Sequence, residues 1–315
     1  MQILIAEDDE TSRMILTAIL KKKGYDVLVA QNGQEAIDLY DGMEKPALVI
    51  LDWMMPHFTG VELVERFKQS EDTEVPYILL LTGRDKDRDL SYALNKGADD
   101  FIKKPYNPDE FWARLNVGRR TLDTQKALIK TQKELLYISE HDPMTGVFNR
   151  RAILEILKKE VQRLERTNTA FSVGMFDLDF FKKVNDTLGH AMGDEVICAF
   201  TRIVTENLRE YDTFGRMGGE EFLLISPEGD GIGVNGVFER IRKAVEAFEL
   251  NCEGKTHKFT VSVGALRART GLSDKVILEL VDEALYKAKD AGRNNLSFVS
   301  KGRMDSIAQS KIDNL

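Results

Sequence analysis

Residues 213–226 read TFGRMGGEEFLLIS, two short apolar runs separated by Gly-Gly-Glu-Glu. Apolar runs of this length on either side of adjacent glycines predict a β-hairpin. Glycine at 218 and 219 lets the backbone approach a ligand closely, because neither residue has a Cβ atom. Further strands are predicted at Phe171–Phe176, Phe259–Ala265 and Leu296–Val299, and helices at Arg151–Arg166, Asp194–Arg209, Val237–Phe248 and Lys275–Ala291. This half of the chain is therefore predicted to be an α+β domain with a largely antiparallel sheet.

The N-terminal half alternates short apolar strands with helices. Strands are predicted at Gln2–Ala6, Tyr25–Ala30, Ala47–Leu51, Tyr77–Leu81 and Asp100–Lys103. Helical patterns cover Thr11–Lys23, Gly33–Tyr40, Val61–Gln69 and Leu90–Asn95. This alternation predicts a doubly wound α/β fold with a five-stranded parallel sheet. Its functional site is expected at the C-terminal ends of the strands.

Length and composition favour a protein of two domains. The chain has 315 residues, 43% hydrophobic and 30% charged, with a net charge of −8. That charge disfavours a sequence-independent nucleic-acid binder, which needs a basic surface. No apolar run has membrane-spanning length, and the run Met1–Ala6 leads directly into acidic residues, unlike a signal peptide. We therefore expect a cytoplasmic protein with no membrane contact, whose Cys198 and Cys252 are reduced thiols.

A long helix is predicted between the two halves, beginning at the sequence NPDE of residues 107–110. One apolar column recurs every seven residues, at Leu115, Leu122, Ile129 and Leu136. The companion column, Gly118, Gln125 and Gln132, is poor. A solvated connecting helix is one interpretation. We favour a parallel coiled-coil stalk between two copies of the chain, because an isolated helix of this length gains little without packing. The expected organisation is residues 1–120, a stalk at 107–140, a second domain at 141–300 and a polar tail at 301–315.

Polar residues follow the predicted strands of the first half. They are Glu7 and Asp8 after the first strand, Asp52 after the third, Thr82 after the fourth and Lys104 after the fifth. Clustered carboxylates favour a hard cation such as Mg²⁺. A carboxylate at Asp52 beside that cation can attack a phosphoryl group and become an aspartyl phosphate. Lys104 and the Thr82 hydroxyl are suited to binding the phosphate oxygens.

Residues 1–120 resemble the receiver domains of two-component response regulators. The resemblance lies in ILIAEDD at 3–9, LDWMMP at 51–56 with Gly60, LT at 81–82 and KP at 104–105. It implies that Asp52 is the phosphoacceptor and that a histidine kinase or phosphotransfer protein is the partner. It also implies that Glu7, Asp8, Asp52 and the Met54 carbonyl hold Mg²⁺ or Mn²⁺. Thr82, Phe101 and Lys104 would form the switch, with Phe101 at a position that is often Tyr in the family.

A second set of carboxylates is predicted in the C-terminal half. Asp177 closes an apolar strand, and Glu220 and Glu221 lie on the Gly-Gly turn. If the two strands are neighbours, these acids converge and can hold one or two Mg²⁺ ions for attack on a phosphate. Lys182, Lys289 and Arg293 are candidates for neutralising triphosphate oxygens. The amide of Asn185 and the carboxylate of Asp194 match the hydrogen-bonding edge of guanine.

Residues 141–299 resemble the GGDEF diguanylate cyclase family. The matching stretches are DPMTGVFNRR at 142–151, DLDFFKKVND at 177–186, GGEEF at 218–222, ALYKAK at 284–289 and GRN at 292–294. Met144 and Val147 stand where Leu is usual, and Glu220 is an accepted variant of the signature. The resemblance implies a nucleotide-cyclase or palm-like fold. It also implies synthesis of cyclic di-GMP and two pyrophosphates from two GTP molecules by a homodimer.

The same resemblance assigns roles to individual residues. Asp177, the Leu178 carbonyl and Glu220 would bind the metal. Glu220 would also help to deprotonate the attacking 3′-hydroxyl, with Glu221 as a supporting carboxylate. Asn185, His190 and Asp194 would contact GTP. Arg209 and Asp212 form an RxxD motif five residues before Gly218, the spacing at which the family binds its product for feedback inhibition.

Other functions compete with this prediction. A degenerate GGDEF domain would bind GTP or cyclic di-GMP and signal by contact, but the intact carboxylates, Lys289 and Arg293 argue against degeneration. A DNA-binding response regulator is disfavoured by the acidic charge and by the lack of a helix-turn-helix pattern after residue 120. The GxGxxG pattern at residues 231–236 is interpreted as a loop, and Gly254-Lys255-Thr256 as a hairpin turn.

Overall fold

The computed structural model describes residues 1–45, 47–69, 74–83, 87–227, 235–252, 255–300 and 302–303. The chain divides into two compact units, Met1–Glu134 and Leu135–Leu315. Within the described residues, no helix combines the length and hydrophobicity needed to cross a membrane. Apart from residues 302–303, the proposed tail at 301–315 lies outside the described residues, as does most of the GxGxxG segment.

The first unit contains a five-stranded parallel sheet in the order β2-β1-β3-β4-β5. The strands are β1 (Gln2–Ala6), β2 (Asp26–Ala30), β3 (Leu48–Asp52), β4 (Tyr77–Thr82) and β5 (Asp100–Lys103). The intervening helices are α1 (Glu10–Lys22), α2 (Gly33–Asp41), α3 (Gly60–Lys68) and α4 (Asp87–Asn95). Buried apolar clusters lie on both faces of the sheet. The doubly wound fold predicted from the sequence is confirmed.

Helix caps fix the start of the helices that follow the strands. Asp9 caps α1 by accepting the Ser12 N–H, and Asn32 caps α2 in the same way. Thr59 and Glu62 form a capping box at the start of α3. These short-range hydrogen bonds end each strand-to-helix loop at a defined residue. The strand ends that carry Asp52 and its neighbours are thereby held at one edge of the sheet.

Helix α5 (Pro108–Glu140) follows β5. Leu115 and Leu122 are buried in the apolar core of the first unit, together with Phe111. The first half of the predicted heptad column is therefore used for packing inside this unit. Residues 131–140 are exposed throughout. Several large apolar side chains are exposed on the later turns, at Leu128, Leu135, Leu136, Tyr137 and Ile138. The coiled-coil stalk remains a prediction for these later turns.

The second unit is an α+β domain whose larger sheet has the order β12-β11-β6-β8-β7. The strands are β6 (Phe171–Leu178), β7 (Thr213–Gly218), β8 (Glu221–Pro227), β9 (Leu250–Cys252), β10 (Lys255–His257), β11 (Val261–Arg267) and β12 (Leu296–Phe298). The helices are α6 (Arg150–Thr167), α7 (Phe181–Leu188), α8 (His190–Glu206), α9 (Asn235–Ala247) and α10 (Asp274–Asp290). Within the larger sheet, β11 and β12 pair in parallel, and its other pairs are antiparallel. The predicted hairpin at the Gly-Gly turn is confirmed by the pairing of β7 with β8.

The structure corrects the helix boundaries near residue 190. Helix α7 was not predicted, and α8 begins at His190 rather than at Asp194. Gly189, with φ of 85°, separates the two helices. Neither helix start has a capping side-chain hydrogen bond, so the usual sequence signal for a helix N-terminus is missing. Lys255 and Thr256 lie in β10, and Gly254 is outside the described residues.

Helix α10 packs directly against the backbone of β11 at Gly264. A Cβ atom at this position would overlap the Val281 carbonyl oxygen and the Leu285 amide of α10. Because backbone atoms cannot move aside as a flexible side chain can, we expect Gly264→Val to lower the free energy of unfolding by about 3 kcal/mol or more. Denaturant unfolding measures this effect. Gly302→Val, where the added side chain meets open space, is the control, and equal stability of the two variants would contradict the prediction.

Candidate active site

Three carboxylates of the first unit lie together at the C-terminal edge of its sheet. Ligand oxygens of Glu7, Asp8 and Asp52 all lie within 4.8 Å of one another. Glu7 and Asp52 are buried, whereas Asp8 is exposed. Lys104 Nζ lies 2.7 Å from Glu7 Oε2 and 3.1 Å from Asp52 Oδ1. The structure thus brings together four of the residues that the sequence predicted for this site.

The electrostatics of this cluster favour a bound cation. Burial raises the pKa of Glu7 and of Asp52, and Lys104 opposes the rise only in part. Burial tends to lower the pKa of Lys104, but the hydrogen bond to Glu7 and the charge of Asp52 raise it. Glu7 and Asp52 therefore share one ammonium group, and the Asp8 carboxylate lies beside them. Their oxygen ligands fit a hard divalent ion such as Mg²⁺ or Mn²⁺.

The predicted switch residues lie on the neighbouring strands. Thr82 ends β4 and is fully buried, and Leu81 is the strand partner of Asp52. Phe101 on β5 is half-buried against the core cluster. Met54, two residues after Asp52, has an exposed side chain. Thr82 and Phe101 thus occupy adjacent strands beside the carboxylate cluster.

The second carboxylate group is formed where β6 meets the turn between β7 and β8. Asp177 is the strand partner of Glu221, and Gly218 is also paired with Glu221. The Leu178 amide donates a hydrogen bond of 3.3 Å to the Glu220 carbonyl oxygen. Positive φ angles of 141° at Gly218 and 55° at Gly219 allow the tight turn. The turn therefore holds Glu220 beside the end of β6.

A lysine from α10 completes this group. Lys289 Nζ lies 2.8 Å from Asp177 Oδ2. Burial raises the pKa of Asp177 despite the charge of Lys289. Burial and then the charge of Asp177 raise the pKa of Glu220. Two neighbouring carboxylates that are both harder to ionise than usual, next to the Leu178 backbone, fit a divalent cation.

Glu221 is the strand partner of Asp177 and directly follows Glu220 in the sequence. It begins β8 and is exposed. In the part of the chain that the structure describes, Asp177, Glu220 and Glu221 do not form a three-residue cluster of the kind seen around Asp52. The supporting role of Glu221 stays a prediction.

The residues predicted to contact a nucleotide lie on α7, α8 and α10 and on the loop that follows α10. The side-chain Oδ1 of Asn185 is buried and, among the described residues, has no hydrogen-bond partner. Gly193 packs so closely on it that a Cβ atom there would overlap the amide oxygen. His190, Asp194 and Lys182 are exposed. The Arg293 guanidinium lies 4.5 Å from the centroid of the Phe180 ring.

Comparison with known proteins agrees with both halves of this arrangement. Residues 139–295 match the family model "Diguanylate cyclase, GGDEF domain", and residues 3–116 match "Response regulator receiver domain". The crystal structure of the GGDEF domain of DgcB from Caulobacter crescentus in complex with c-di-GMP is 30% identical, with a TM-score of 0.50. That match covers 52% of this chain and 94% of the DgcB chain.

The chain belongs to the GGDEF family and carries a receiver domain.

Two further relatives extend the comparison. The response regulator PleD of Caulobacter vibrioides is 29% identical over 297 residues, which cover 93% of this chain and 64% of PleD. The chain thus spans less than two thirds of the length of this relative. A structure of the coiled coil and GGDEF domain of DgcB from Caulobacter crescentus is 27% identical, with a TM-score of 0.55. That match covers 60% of this chain and 98% of the DgcB chain.

Within the GGDEF domain, Asp179 has a role that was not predicted from the sequence. Its buried carboxylate accepts hydrogen bonds from Thr260 Oγ1 at 2.7 Å, Ser262 Oγ at 2.6 Å and the Asn294 amide at 2.8 Å. Asp179 thereby ties the end of β6 to β11 and to the loop carrying Arg293. The alternating acids of Asp177-Leu178-Asp179 were the available signal, but their partners lie far away in the sequence.

The RxxD motif of the GGDEF domain forms a compact loop after α8. The Arg209 amide donates to Asp212 Oδ2 at 2.9 Å, and Ser226 Oγ donates to Asp212 Oδ1 at 2.6 Å. Arg209 Nη1 donates to the Tyr211 hydroxyl at 2.7 Å. The Arg209 backbone and the Asp212 carboxylate thus meet in one loop, and product binding at this motif stays a prediction.

Proposed function

We propose that this protein is a diguanylate cyclase controlled by phosphorylation of its receiver domain. Two molecules of GTP would give cyclic di-GMP and two pyrophosphates. The observation that carries the proposal is the meeting of Asp177 and Glu220 at the end of β6, with Lys289 2.8 Å from Asp177. The matching family model is described as a diguanylate cyclase domain, and the DgcB structures contain a GGDEF domain, which supports the same activity.

Guanine recognition is assigned to α7 and α8. The buried Asn185 oxygen, which has no partner among the described residues, can accept a hydrogen bond from the N–H edge of the base. Leaving such an oxygen buried and unsatisfied is unfavourable, so a ligand that supplies a donor is bound more tightly. Asp194 and His190, near the start of α8, would complete the contact with GTP.

Phosphate binding is assigned to three cationic side chains. Lys182 lies in the first turn of α7, and Lys289 and Arg293 lie at the end of α10 and in the loop after it. The Phe180 ring holds Arg293 through a cation–π contact. When a triphosphate binds, Lys289 can exchange its contact with Asp177 for phosphate oxygens. The negative charge of the triphosphate would then be compensated by Lys182 from α7 and by Lys289 and Arg293 from the end of α10 and the following loop.

The condensation joins the 3′-oxygen of one GTP to the α-phosphorus of the other, and pyrophosphate leaves with its bridging oxygen. Asp177, Glu220 and the Leu178 carbonyl would hold Mg²⁺ or Mn²⁺, which neutralises the charge developing on the phosphate. Glu220, on the turn, would take up the proton of the 3′-hydroxyl, and Glu221 would support it. Each domain holds one GTP, so two copies of the chain must face each other.

Control is assigned to Asp52. A histidine kinase or phosphotransfer protein would transfer a phosphoryl group to its carboxylate. Lys104 and Thr82 would bind the new phosphate oxygens, and Phe101 would follow the movement of Thr82. The exposed apolar turns at the end of α5 would then bring two GGDEF domains together through the stalk at residues 107–140. The DgcB structure that includes a coiled coil supports this arrangement.

Feedback inhibition is assigned to the RxxD loop. The guanidinium of Arg209 can pair with the O6 and N7 acceptors of a guanine, and the carboxylate of Asp212 can accept from its N–H groups. Both residues already lie in one loop, and Arg209 is half-exposed. Cyclic di-GMP, which carries two guanines, is the expected ligand.

The test is to incubate the purified chain with GTP and Mg²⁺, with and without beryllofluoride, which mimics the phosphorylated receiver. The nucleotides are then separated by chromatography. Cyclic di-GMP that increases with beryllofluoride is the expected result. Binding of GTP or cyclic di-GMP without any product in either condition would instead favour a degenerate sensor that signals by contact.

A further inference from the structure

Arg216, near the end of β7, contacts two separate segments of the second unit. One is the turn that carries Glu220, and the other is the segment that follows α5. Its Nε and Nη2 atoms donate to the Gly219 carbonyl oxygen at 3.0 and 2.8 Å. Its Nη1 atom donates to the Asp142 carboxylate at 3.2 Å. The Arg216 side chain is only 12% exposed. One guanidinium group therefore contacts both the turn that carries Glu220 and the segment that follows α5.

Asp142 is a well-fixed partner for this guanidinium. Its carboxylate also accepts from the Thr145 amide at 2.9 Å and the Thr145 hydroxyl at 2.7 Å. Burial opposes ionisation of Asp142, but these hydrogen bonds and the charge of Arg216 lower its pKa. The Asp142 amide donates to the Val147 carbonyl oxygen at 2.8 Å. The ion pair is thus anchored on a closed backbone loop.

The last turn of α5 is attached to the same loop. The Asn149 amide donates to the Glu140 carbonyl oxygen at 2.7 Å, and Asn149 Nδ2 donates to the Ser139 carbonyl oxygen at 2.8 Å. The His141 ring stacks between Tyr137 and Phe148, with centroid distances of 3.9 and 4.7 Å. The Arg216 amide donates to the Phe148 carbonyl oxygen at 2.8 Å. The end of α5 is therefore connected to β7 by contiguous hydrogen bonds and ring contacts.

Besides Arg216, the hydrogen bond from the Leu178 amide to the Glu220 carbonyl oxygen restrains this turn, but its two glycines leave the backbone at Gly219 loosely determined. Gly218 and Gly219 have no Cβ atoms, and within the described chain no heavy atom lies within 4 Å of where those atoms would be. The strand register shifts between Arg216 and Gly218, so the ladder is interrupted just before the turn. Such a backbone can adopt several conformations at little cost. A hydrogen-bonded carbonyl at Gly219 restricts it directly next to Glu220.

We propose that Arg216 is a positioning residue that couples the end of α5 to the Glu220 turn. Its planar fork binds the Gly219 carbonyl and the Asp142 carboxylate at once, which a lysine ammonium on a flexible chain cannot reproduce. A movement of the end of α5 shifts Asp142, and Arg216 passes that shift to the turn. The inference rests on the proposed cyclase activity and adds a route by which the stalk controls the site.

The test compares Arg216→Lys and Asp142→Asn with the wild-type chain. We expect kcat to fall about 10- to 100-fold, because small misplacements of a catalytic group have effects of this size. The Mg²⁺ concentration for half-maximal activity should rise, while KM for GTP changes by less than about twofold, since no base or phosphate contact is altered. In the metal-free protein, hydrogen exchange at the amides of residues 219–221 should become faster while the melting temperature changes little.

Arg163→Lys is the matched control, because Arg163 pairs with Glu160 within α6 of the same domain. If Arg216→Lys does not fold, the Asp142→Asn variant tests the positioning role by itself. It is expected to fold because Thr145 still restrains the loop that contains residue 142. The positioning role of Arg216 would be overturned if both variants kept the wild-type kcat, the wild-type Mg²⁺ dependence and the wild-type rate of amide hydrogen exchange. If the wild-type chain forms no cyclic di-GMP, the proposed function fails, but the exchange comparison still decides whether Arg216 positions the turn.

Discussion

Replacing Glu220 with Gln is expected to lower the rate of cyclic di-GMP formation by about 1000-fold, while GTP still binds. Glutamine keeps the size of the side chain but removes a negative charge at the end of β6, where Asp177 alone cannot hold a divalent ion as well. It also removes the group proposed to accept the 3′-hydroxyl proton. Loss of one preorganised electrostatic contact commonly costs this much in rate. Product formation is measured by chromatography and GTP binding by calorimetry.

The same substitution should not harm the fold. The pKa of Glu220 is raised by burial and by Asp177, so its ionised form is less favourable in the folded chain than in the unfolded chain. This unfavourable contribution is absent in acid, begins as the pH rises above the ordinary pKa of glutamate, and is complete once the pH exceeds the raised pKa. In the absence of metal, Glu220→Gln should therefore melt no lower than the wild-type chain at neutral pH, with the difference vanishing in acid. Glu279→Gln, an exposed residue of α10, is the control. A normal rate for Glu220→Gln would remove Glu220 from the metal site.

The convergence of Asp177 and Glu220 was predictable from local patterns. An apolar strand ending in Asp177 and a hairpin carrying Glu220 require only that two antiparallel strands be neighbours, and the structure pairs Asp177 with Glu221. The ion pair between Asp177 and Lys289 was not predictable from spacing alone. It depends on the packing of α10 against β11, which is set by the missing side chain at Gly264.

Helix α7 shows where local signals fail. Its first residue follows Phe180, which has a φ of 57° and makes no capping hydrogen bond. A phenylalanine in the left-handed region is uncommon, and no sequence rule places a helix start after it. Arg293, stacked on Phe180, is also in the left-handed region, with a φ of 65°. Two unusual backbone conformations thus meet at the proposed phosphate site, and only the assembled fold explains either of them.

The apolar residues that recur every seven positions along α5 do not all serve the same purpose. Leu115 and Leu122 are buried in the core of the receiver domain, and Leu136 is exposed. A helix that packs on a domain and a helix that packs on a partner both require apolar residues at similar intervals. The sequence could not distinguish these uses, because burial depends on where the domain ends along the helix.

Replacing Asp52 with Asn is expected to leave basal cyclic di-GMP synthesis unchanged and to abolish its stimulation by beryllofluoride. The asparagine amide lacks the carboxylate oxygen to which the phosphoryl mimic attaches, so the receiver keeps one state under both conditions. Allosteric couplings commonly amount to about 1–3 kcal/mol, so stimulation of the wild-type chain by roughly tenfold or more is expected and should fall to none. Asp38→Asn, an exposed residue of α2, should retain full stimulation.

The contacts of Lys104 explain why Asp52→Asn should lose all stimulation by beryllofluoride. Its ammonium group lies between Glu7 Oε2 at 2.7 Å and Asp52 Oδ1 at 3.1 Å. A phosphoryl group on Asp52 adds negative charge on the near side of Lys104, which then favours the phosphate oxygens over Glu7. Asparagine adds no charge, so Lys104 should stay with Glu7 whether or not beryllofluoride is present. Burial raises the pKa of Asp52, so replacing this residue with Asn removes the cost of burying a charged carboxylate. The metal-free variant should therefore melt no lower than the wild-type chain at neutral pH. Full stimulation of a correctly folded Asp52→Asn variant would show that control of the cyclase does not pass through this carboxylate.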